Sequence, residues 1–200
     1  KRYKSLCNKY RMEIMIPKIK HNADVVNIIP MVRQHQSLLP QMFFKKLKDI
    51  MTGNNFQWYF QNATVPNFKK ESKNNFMFTH NLFMRDVGKT SDWFNTFEPI
   101  LYSINEKIKV NELLRMKLNL YTNQHRKIKH ASHCDFSDEK DKGIKTGILN
   151  FTTCNGGTTI DKNVYQSKEN EILIFDNGLK HFGITQTDTP IRIVLNMGWR

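Results

Sequence analysis

Three short segments of this 200-residue chain hold residue types that can do chemistry together. The first is His130-Ala131-Ser132-His133-Cys134-Asp135-Phe136. The second is Gly178-Leu179-Lys180-His181-Phe182-Gly183. The third is Pro190-Ile191-Arg192-Ile193-Val194-Leu195-Asn196. On a strand, residues i and i+2 point to the same side, so His133 and Asp135 can enter one interior together. A third ligand must then come from afar, and His181 suits because it follows the apolar run Glu171–Phe175. Two histidines and one carboxylate on one face of a metal leave three positions open, the arrangement suited to ferrous iron that must also bind a cosubstrate and oxygen. Arg192 stands alone in the apolar run 191–195. A buried guanidinium needs a partner, and a bound dicarboxylate would supply one through two parallel hydrogen bonds.

Other readings of nearby residues are weaker. His130 and His133 form an HxxH pair with Cys134 alongside, but no CxxC accompanies them to support zinc. Cys134, between two ligands, is expected to point away from the metal. The run 125–130 (HRKIKH) reads as a solvated basic loop at a pocket rim. His80 lies in an aromatic strand and reads as a structural histidine. Gly156 and Gly157 read as a turn, without the Lys-Ser/Thr of a phosphate loop.

These residues need a scaffold. From residue 114 onward short β-like runs alternate with polar turns: 114–121, 145–152, 158–160, 163–166, 171–175, 182–185 and 191–197. Such spacing indicates an antiparallel sandwich or barrel. Upstream, 37–52 reads as a helix with Leu39, Phe43, Leu47 and Ile50 on one face, Ser37 as its cap and Gly53 as its end. Residues 56–60 and 76–84 read as strands. Residues 91–109 suggest a second helix that Pro99 kinks or restarts. The expected plan is one domain, mainly β with N-terminal helices (α+β). A basic extension covers 1–35, helical support 36–113 and a jelly-roll core 114–200.

Composition narrows the function classes. The net charge is +13, and residues 1–70 carry 13 Lys or Arg against 3 acids. A basic segment can bind nucleic acid or another anionic surface. Yet Lys (23) far outnumbers Arg (8) and Asn reaches 21, a bias that AT-rich coding also produces. Three cysteines without regular spacing make no disulfide framework, and a reducing, cytoplasmic setting is the simpler expectation. No run of about 18 apolar residues spans a membrane, and the basic start lacks the apolar core of a secretory signal.

The stretch from Arg115 to Trp199 resembles the 2-oxoglutarate/Fe(II) dioxygenase superfamily, on its prolyl 4-hydroxylase-like side. The matching pieces are HCDF at 133–136, GGTT at 156–159, ILIFDNGLKHFG ending at Gly183, and TPIRIVLNMGW at 189–199. FQWYF (56–60) and RMKLNLY (115–121) also resemble small members encoded by marine phages and found in environmental sequences, which for a viral chain would place it in host cytoplasm. The resemblance covers roughly residues 40–200. It implies a double-stranded β-helix, Fe(II) held by His133, Asp135 and His181, and Arg192 as the anchor of the cosubstrate 2-oxoglutarate. Asn119 and Tyr121 match an Asn-x-Tyr pattern that reaches the cosubstrate in related oxygenases, and Lys145 and Thr146 are secondary candidates for the same contact. The implied reaction couples oxidative decarboxylation of 2-oxoglutarate by O2 to hydroxylation of an unactivated C–H bond, with ascorbate as a candidate reductant. The implied substrate is an amino-acid side chain, in protein or free form. Two alternatives stay open: a nucleic-acid base oxygenase or demethylase, and a non-catalytic jelly-roll binding or virion-associated module. Oligomeric state and the role of 1–35 are not legible.

Overall fold

The computed structural model describes residues 32–65, 75–136 and 143–200. Strand β1 (Arg33–His35) leads into helix α1 (Gln41–Thr52), then β2 (Tyr59–Gln61), β3 (Met77–Met84) and β4 (Gly88–Lys89). Two short helices follow, α2 (Phe94–Phe97) and α3 (Ile100–Asn105). The rest is strand: β5 (Leu113–Thr122), β6 (Lys145–Asn150), β7 (Gly157–Ile160), β8 (Asn163–Gln166), β9 (Glu171–Asp176), β10 (His181–Ile184) and β11 (Ile191–Trp199). Among the described residues no helix is long and apolar enough to cross a membrane.

The strands form two sheets, antiparallel throughout. The larger runs β1-β9-β6-β11-β5-β3-β2, with β4 beside β3, and the smaller runs β10-β7-β8. Two isolated bridges, Lys129↔Ile184 and His133↔His181, lay the segment 129–133 along the free side of β10. This segment completes the smaller sheet and closes a double-stranded β-helix, the jelly roll expected from the strand spacing. Met77, Tyr121, Ile148, Ile160, Leu173, Phe175 and Val194 pack between the sheets.

The outer face of the larger sheet is covered by helices. Leu118, Leu149, Ile172 and Leu195 meet Phe44, Leu47 and Met51 of α1 and Phe97, Ile100 and Ile104 of α2 and α3. Phe44 stacks on Phe151 with centroids 5.2 Å apart. Each such side chain contributes about 1.5–3 kcal/mol by leaving water. With no side-chain cap at the Pro40 end of α1, this burial holds the helix in place.

Several sequence expectations need correction. Ser37 does not cap α1: it lies outside the helix with φ 51°, because Pro40 occupies the cap position. Of the expected face Leu39, Phe43, Leu47 and Ile50, Leu39 and Leu47 are buried, while Phe44 and Met51 are buried in place of Phe43 and Ile50, which pack only partly against the core. Pro99 restarts the second helical region, giving α2 and α3. Within 36–113 the strands read near 56–60 and at 76–84 are β2 and β3, which with β4 extend the same sheet as β5. Of the 1–35 extension, residues 1–31 lie outside the described residues; 33–35 pair with β9 as an edge strand.

Candidate metal and cosubstrate site

Strand register brings the two histidines together. His133 and His181 are directly opposed, and each donates its backbone N–H to the other's carbonyl at 3.0 Å. Their rings lie 4.5 Å apart at centroids. The Asp135 carboxylate sits between them, with Oδ1 3.6 Å from His133 Nε2 and Oδ2 3.5 Å from His181 Nε2. The three ligand atoms all fall within 4.8 Å of one another. The far nitrogens are oriented too: His133 Nδ1 lies 3.0 Å from the Ala131 carbonyl and His181 Nδ1 3.2 Å from the Leu179 carbonyl. Such contacts fix ring orientation and leave Nε2 for a metal. His181 Nε2 is buried without a hydrogen-bond partner.

The carboxylate is held from the large sheet. Arg115 Nη2 pairs with Asp135 Oδ1 at 2.6 Å, and Asn196 Nδ2 donates to Oδ2 at 3.3 Å. Arg115 also donates to Asn196 Oδ1 at 2.6 Å, and the Thr146 hydroxyl approaches Oδ2 at 3.5 Å. The Arg115 guanidinium lies over the Phe136 ring, 4.9 Å from its centroid. Asn177 clasps the Phe136 backbone, accepting from its N–H (3.0 Å) and donating to its carbonyl (2.6 Å). Gly198 makes room for this ring: a Cβ there would come within 2.3 Å of Phe136. Cys134 points away, as expected, with its Sγ 3.7 Å from the Gly178 carbonyl.

Electrostatics favour the ligating forms. Burial alone would raise the Asp135 carboxyl, but the Arg115 guanidinium and the two imidazoles outweigh it and hold it well below the usual carboxylate range. Burial pushes His181 down to about 4, against the opposing pull of Asp135. At neutral pH the site therefore offers a carboxylate and a neutral imidazole, the states a metal requires.

Arg192 lies fully inside, 1% exposed. Nη2 donates to Thr158 Oγ1 at 3.2 Å, which links β11 to the smaller sheet, and the guanidinium faces the Tyr121 ring at 5.6 Å. Its Nε has no partner. Asn119 Oδ1 and His130 Nε2 are likewise buried and unpartnered, and these side chains line the same pocket as the triad. The structure thus brings together six sequence candidates: His133, Asp135, His181, Arg192, Tyr121 and Asn119.

Lys145 is not among them. Its ammonium pairs with Asp176 at the surface. The strand period explains this, because Thr146 next to it faces inward and Lys145 must face outward. His130 also departs from expectation. It is buried rather than solvated, with its ring 4.8 Å from Tyr121. Burial, then the charge of Arg192, pushes it down to about 3. Gly183 is small where His130 Nδ1 would meet a Cβ at 2.7 Å. His80 is structural, with contacts to the Gln57 carbonyl at 2.6 Å and the Ser91 hydroxyl at 2.7 Å.

The sequence reading gave no role to Arg115, Lys117, Asn196 or Thr158. A signal existed for the first two. Arg115, Lys117, Asn119 and Tyr121 occupy alternate positions of β5, so one polar face of an otherwise apolar strand enters the pocket.

No protein-family model matches the sequence, and none of the curated proteins matches it. Solved structures do. A Pseudomonas putida prolyl-4-hydroxylase superposes with TM-score 0.54 at 12% identity, over 86% of this chain and 92% of its own. A Trichoplax adhaerens prolyl hydroxylase, solved with a peptide of the hypoxia-inducible-factor oxygen degradation domain, gives 0.57 at 10%, over 84% and 82%. The viral collagen prolyl hydroxylase of Paramecium Bursaria Chlorella virus-1, in its 2-oxoglutarate complex, gives 0.51 at 11%, over 84% and 94%. At such identities the likeness is one of fold: the chain has the double-stranded β-helix of the prolyl 4-hydroxylase-like 2-oxoglutarate/Fe(II) oxygenases.

Proposed function

We propose that this protein is a 2-oxoglutarate- and Fe(II)-dependent dioxygenase that hydroxylates an unactivated C–H bond of an amino-acid side chain. The observation that carries the reading is the pairing of two unfinished features in one pocket. A His-Asp-His cluster offers three ligand atoms within 4.8 Å, and a buried guanidinium nearby has an unpartnered Nε. A metal completes the first and a dicarboxylate the second.

In this reading His133, Asp135 and His181 hold the metal. Arg115 and Asn196 fix the rotation of the Asp135 carboxylate, so that it presents an oxygen to the metal without searching. Arg192 takes the distal carboxylate of 2-oxoglutarate, with Thr158 steering its fork and Tyr121 lying against it. Asn119, with its free carbonyl oxygen, contacts ligand between the two. Bound iron would supply activation of O2 coupled to 2-oxoglutarate decarboxylation; the protein supplies ligation and orientation. The amino-acid side chain as substrate draws support from the prolyl hydroxylase neighbours, one of them solved with a peptide.

Anaerobic titration of the purified protein with Fe(II) and 2-oxoglutarate tests this. A weak visible metal-to-ligand charge-transfer band is expected in the wild type and none in His181→Ala or His133→Ala. Folded protein that binds iron and 2-oxoglutarate separately but shows no band would overturn the reading.

A further inference from the structure

Lys117 lies in the same pocket and is not used by the mechanism above. It sits on β5 between Arg115 and Asn119, opposite Asn196 of β11 and Asn81 of β3. Its side chain lines the pocket beside the triad. Among the described residues it makes no salt bridge, although it feels the charge of Asp135, the one acid lining that pocket, which is paired with Arg115.

Position along the strand separates Lys117 from the cosubstrate anchor. Arg192 is opposite Tyr121 in the β5–β11 register, and Lys117 is four residues from Tyr121. At about 3.3 Å per residue this is roughly 13 Å along the sheet. In the reading above the carboxylates of the cosubstrate go to the metal and to Arg192, which leaves the Lys117 ammonium without an assigned ligand.

Charge balance points to the sign of that ligand. The lining residues carry three cations, Arg115, Lys117 and Arg192, against Asp135 alone. A bound metal dication and a 2-oxoglutarate dianion cancel one another. Two positive charges remain, in a pocket where unpaired charge is costly. The face that holds Lys117 also continues outward. Asn81 and Thr79, its neighbours on β3, line a second, polar hollow with Tyr59 and Gln61 of the β2 edge and Gln57. Lys117 is thus paired in register with Asn81, a residue of that surface hollow.

We propose that Lys117 is a specificity-determining residue: it binds a carboxylate of the primary substrate and so sets the C–H bond against the metal site. This rests on the oxygenase reading of the pocket. A carboxylate fits better than a phosphate, because a single lysine supplies one point charge, whereas phosphate recognition gathers Arg forks or several donors. The carboxylate belongs either to a free amino acid or to an acidic side chain within a peptide.

The test is a calorimetric titration of the anaerobic Fe(II)/2-oxoglutarate-loaded protein, with the visible band followed in parallel. The probes are N-acetylglycine and N-acetylglycinamide, N-acetylglutamate α-amide and N-acetylglutamine α-amide, and O-phosphoserine. In the wild type the carboxylate of at least one pair should bind about tenfold or more tighter than its amide, the size of one charge-assisted hydrogen bond. The first pair reports an α-carboxylate and the second a side-chain carboxylate. In Lys117→Gln the preference should vanish while 2-oxoglutarate affinity stays within about twofold. Lys117→Arg should retain part of it. A preference that persists in Lys117→Gln, equal or absent binding of acid and amide, or a loss of 2-oxoglutarate affinity in place of probe affinity would each overturn the proposal. Tighter binding of O-phosphoserine than of any carboxylate would overturn it in favour of a phosphorylated substrate. Failure of the oxygenase reading would show separately, as a missing band before any probe is added.

Discussion

The two ends of the pocket are built on opposite terms. At the Asp135 end every carboxylate oxygen has donors from the protein: Arg115 on one, Asn196 and Thr146 on the other. At the Arg192 end one hydroxyl, Thr158, meets a guanidinium, and polar atoms of Arg192, Asn119 and His130 are buried without partners. Buried polar atoms are normally satisfied. The Asp135 carboxylate is therefore finished by the fold itself, although Arg115 Nε and His181 Nε2 beside it are buried without partners, and the Arg192 end is finished only by a ligand. Preorganisation is spent on the metal carboxylate, whose orientation must not vary. The Arg192 end carries buried unpaired polar atoms, which in the proposed reading a dicarboxylate would satisfy on binding.

The sharpest way to break this contrast is to neutralise each arginine in turn. Arg115→Met leaves the Asp135 carboxylate buried without its ion pair, a loss of about 3–5 kcal/mol for a buried pair. Unfolding of the metal-free protein in urea should register it. Because a bound cation would stand in for the missing guanidinium, Fe(II) should recover much of the loss and stabilise the variant more than the wild type. If metal-free Arg115→Met is as stable as wild type, the carboxylate end is not built as described.

Arg192→Met should behave in the opposite sense. Among the described residues no carboxylate pairs with Arg192, so its removal should leave the metal-free protein as stable or slightly more stable. Its cost should appear in 2-oxoglutarate instead, as a rise in the concentration required of about 100-fold, from loss of a buried bidentate pair. Equilibrium titration of the charge-transfer band measures this directly. A stability loss equal to that of Arg115→Met would mean that the two ends are built alike.

How much of this was visible in the sequence follows from which contacts are local. His133 and Asp135 are two residues apart, so strand period alone places them together. The apolar texture of 191–195 marks Arg192 as an intruder. The eight-residue and shorter β runs gave the jelly roll nearly strand for strand. Arg115 was hidden because its partner Asp135 is brought by pairing of distant strands, not by spacing. Lys145 misled because a lysine at a strand start has two faces open to it, and only the inward Thr146 fixes the phase. His130 looked like one of several charges in a basic run, but the register at Lys129↔Ile184 turns it under Tyr121 and into the interior. The helical region is legible as apolar periodicity, and Leu39 and Leu47 are buried as that periodicity implies, while Phe44 and Met51 are buried beside the half-buried Phe43 and Ile50.

The same interior burial makes the metal-free protein acid-sensitive. His130 is pushed down to about 3 and His181 to about 4, while an unfolded histidine titrates near 6.5. Depressed folded values mean that the unfolded chain takes up protons first as pH falls. The stability from these neutral rings is thus whole above about pH 6.5 and is lost progressively from there down towards the folded values. For His130 alone the loss is about 2 kcal/mol by pH 5. Urea midpoints of the metal-free protein should drop over this window, and His130→Phe should flatten part of the drop. A pH-independent midpoint from 7 to 5 would show that the rings are not held neutral, and with that the idea of a dry cosubstrate end would fail.

Lys145 gives the smallest effect and the cleanest control on the phase of β6. Its ammonium meets Asp176 with both side chains substantially exposed. Exposed pairs of this kind contribute on the order of 0.5 kcal/mol or less. Lys145→Ala should therefore shift the unfolding midpoint barely and leave the 2-oxoglutarate requirement unchanged. Thr146→Val, one residue on, removes a hydroxyl that faces Asp135 and should disturb the metal end without touching the cosubstrate end. If Lys145→Ala instead raised the 2-oxoglutarate requirement, β6 would have to present its other face to the pocket. Thr146 could then not face Asp135, and the division of the site into a finished and an unfinished end would lose one of its donors.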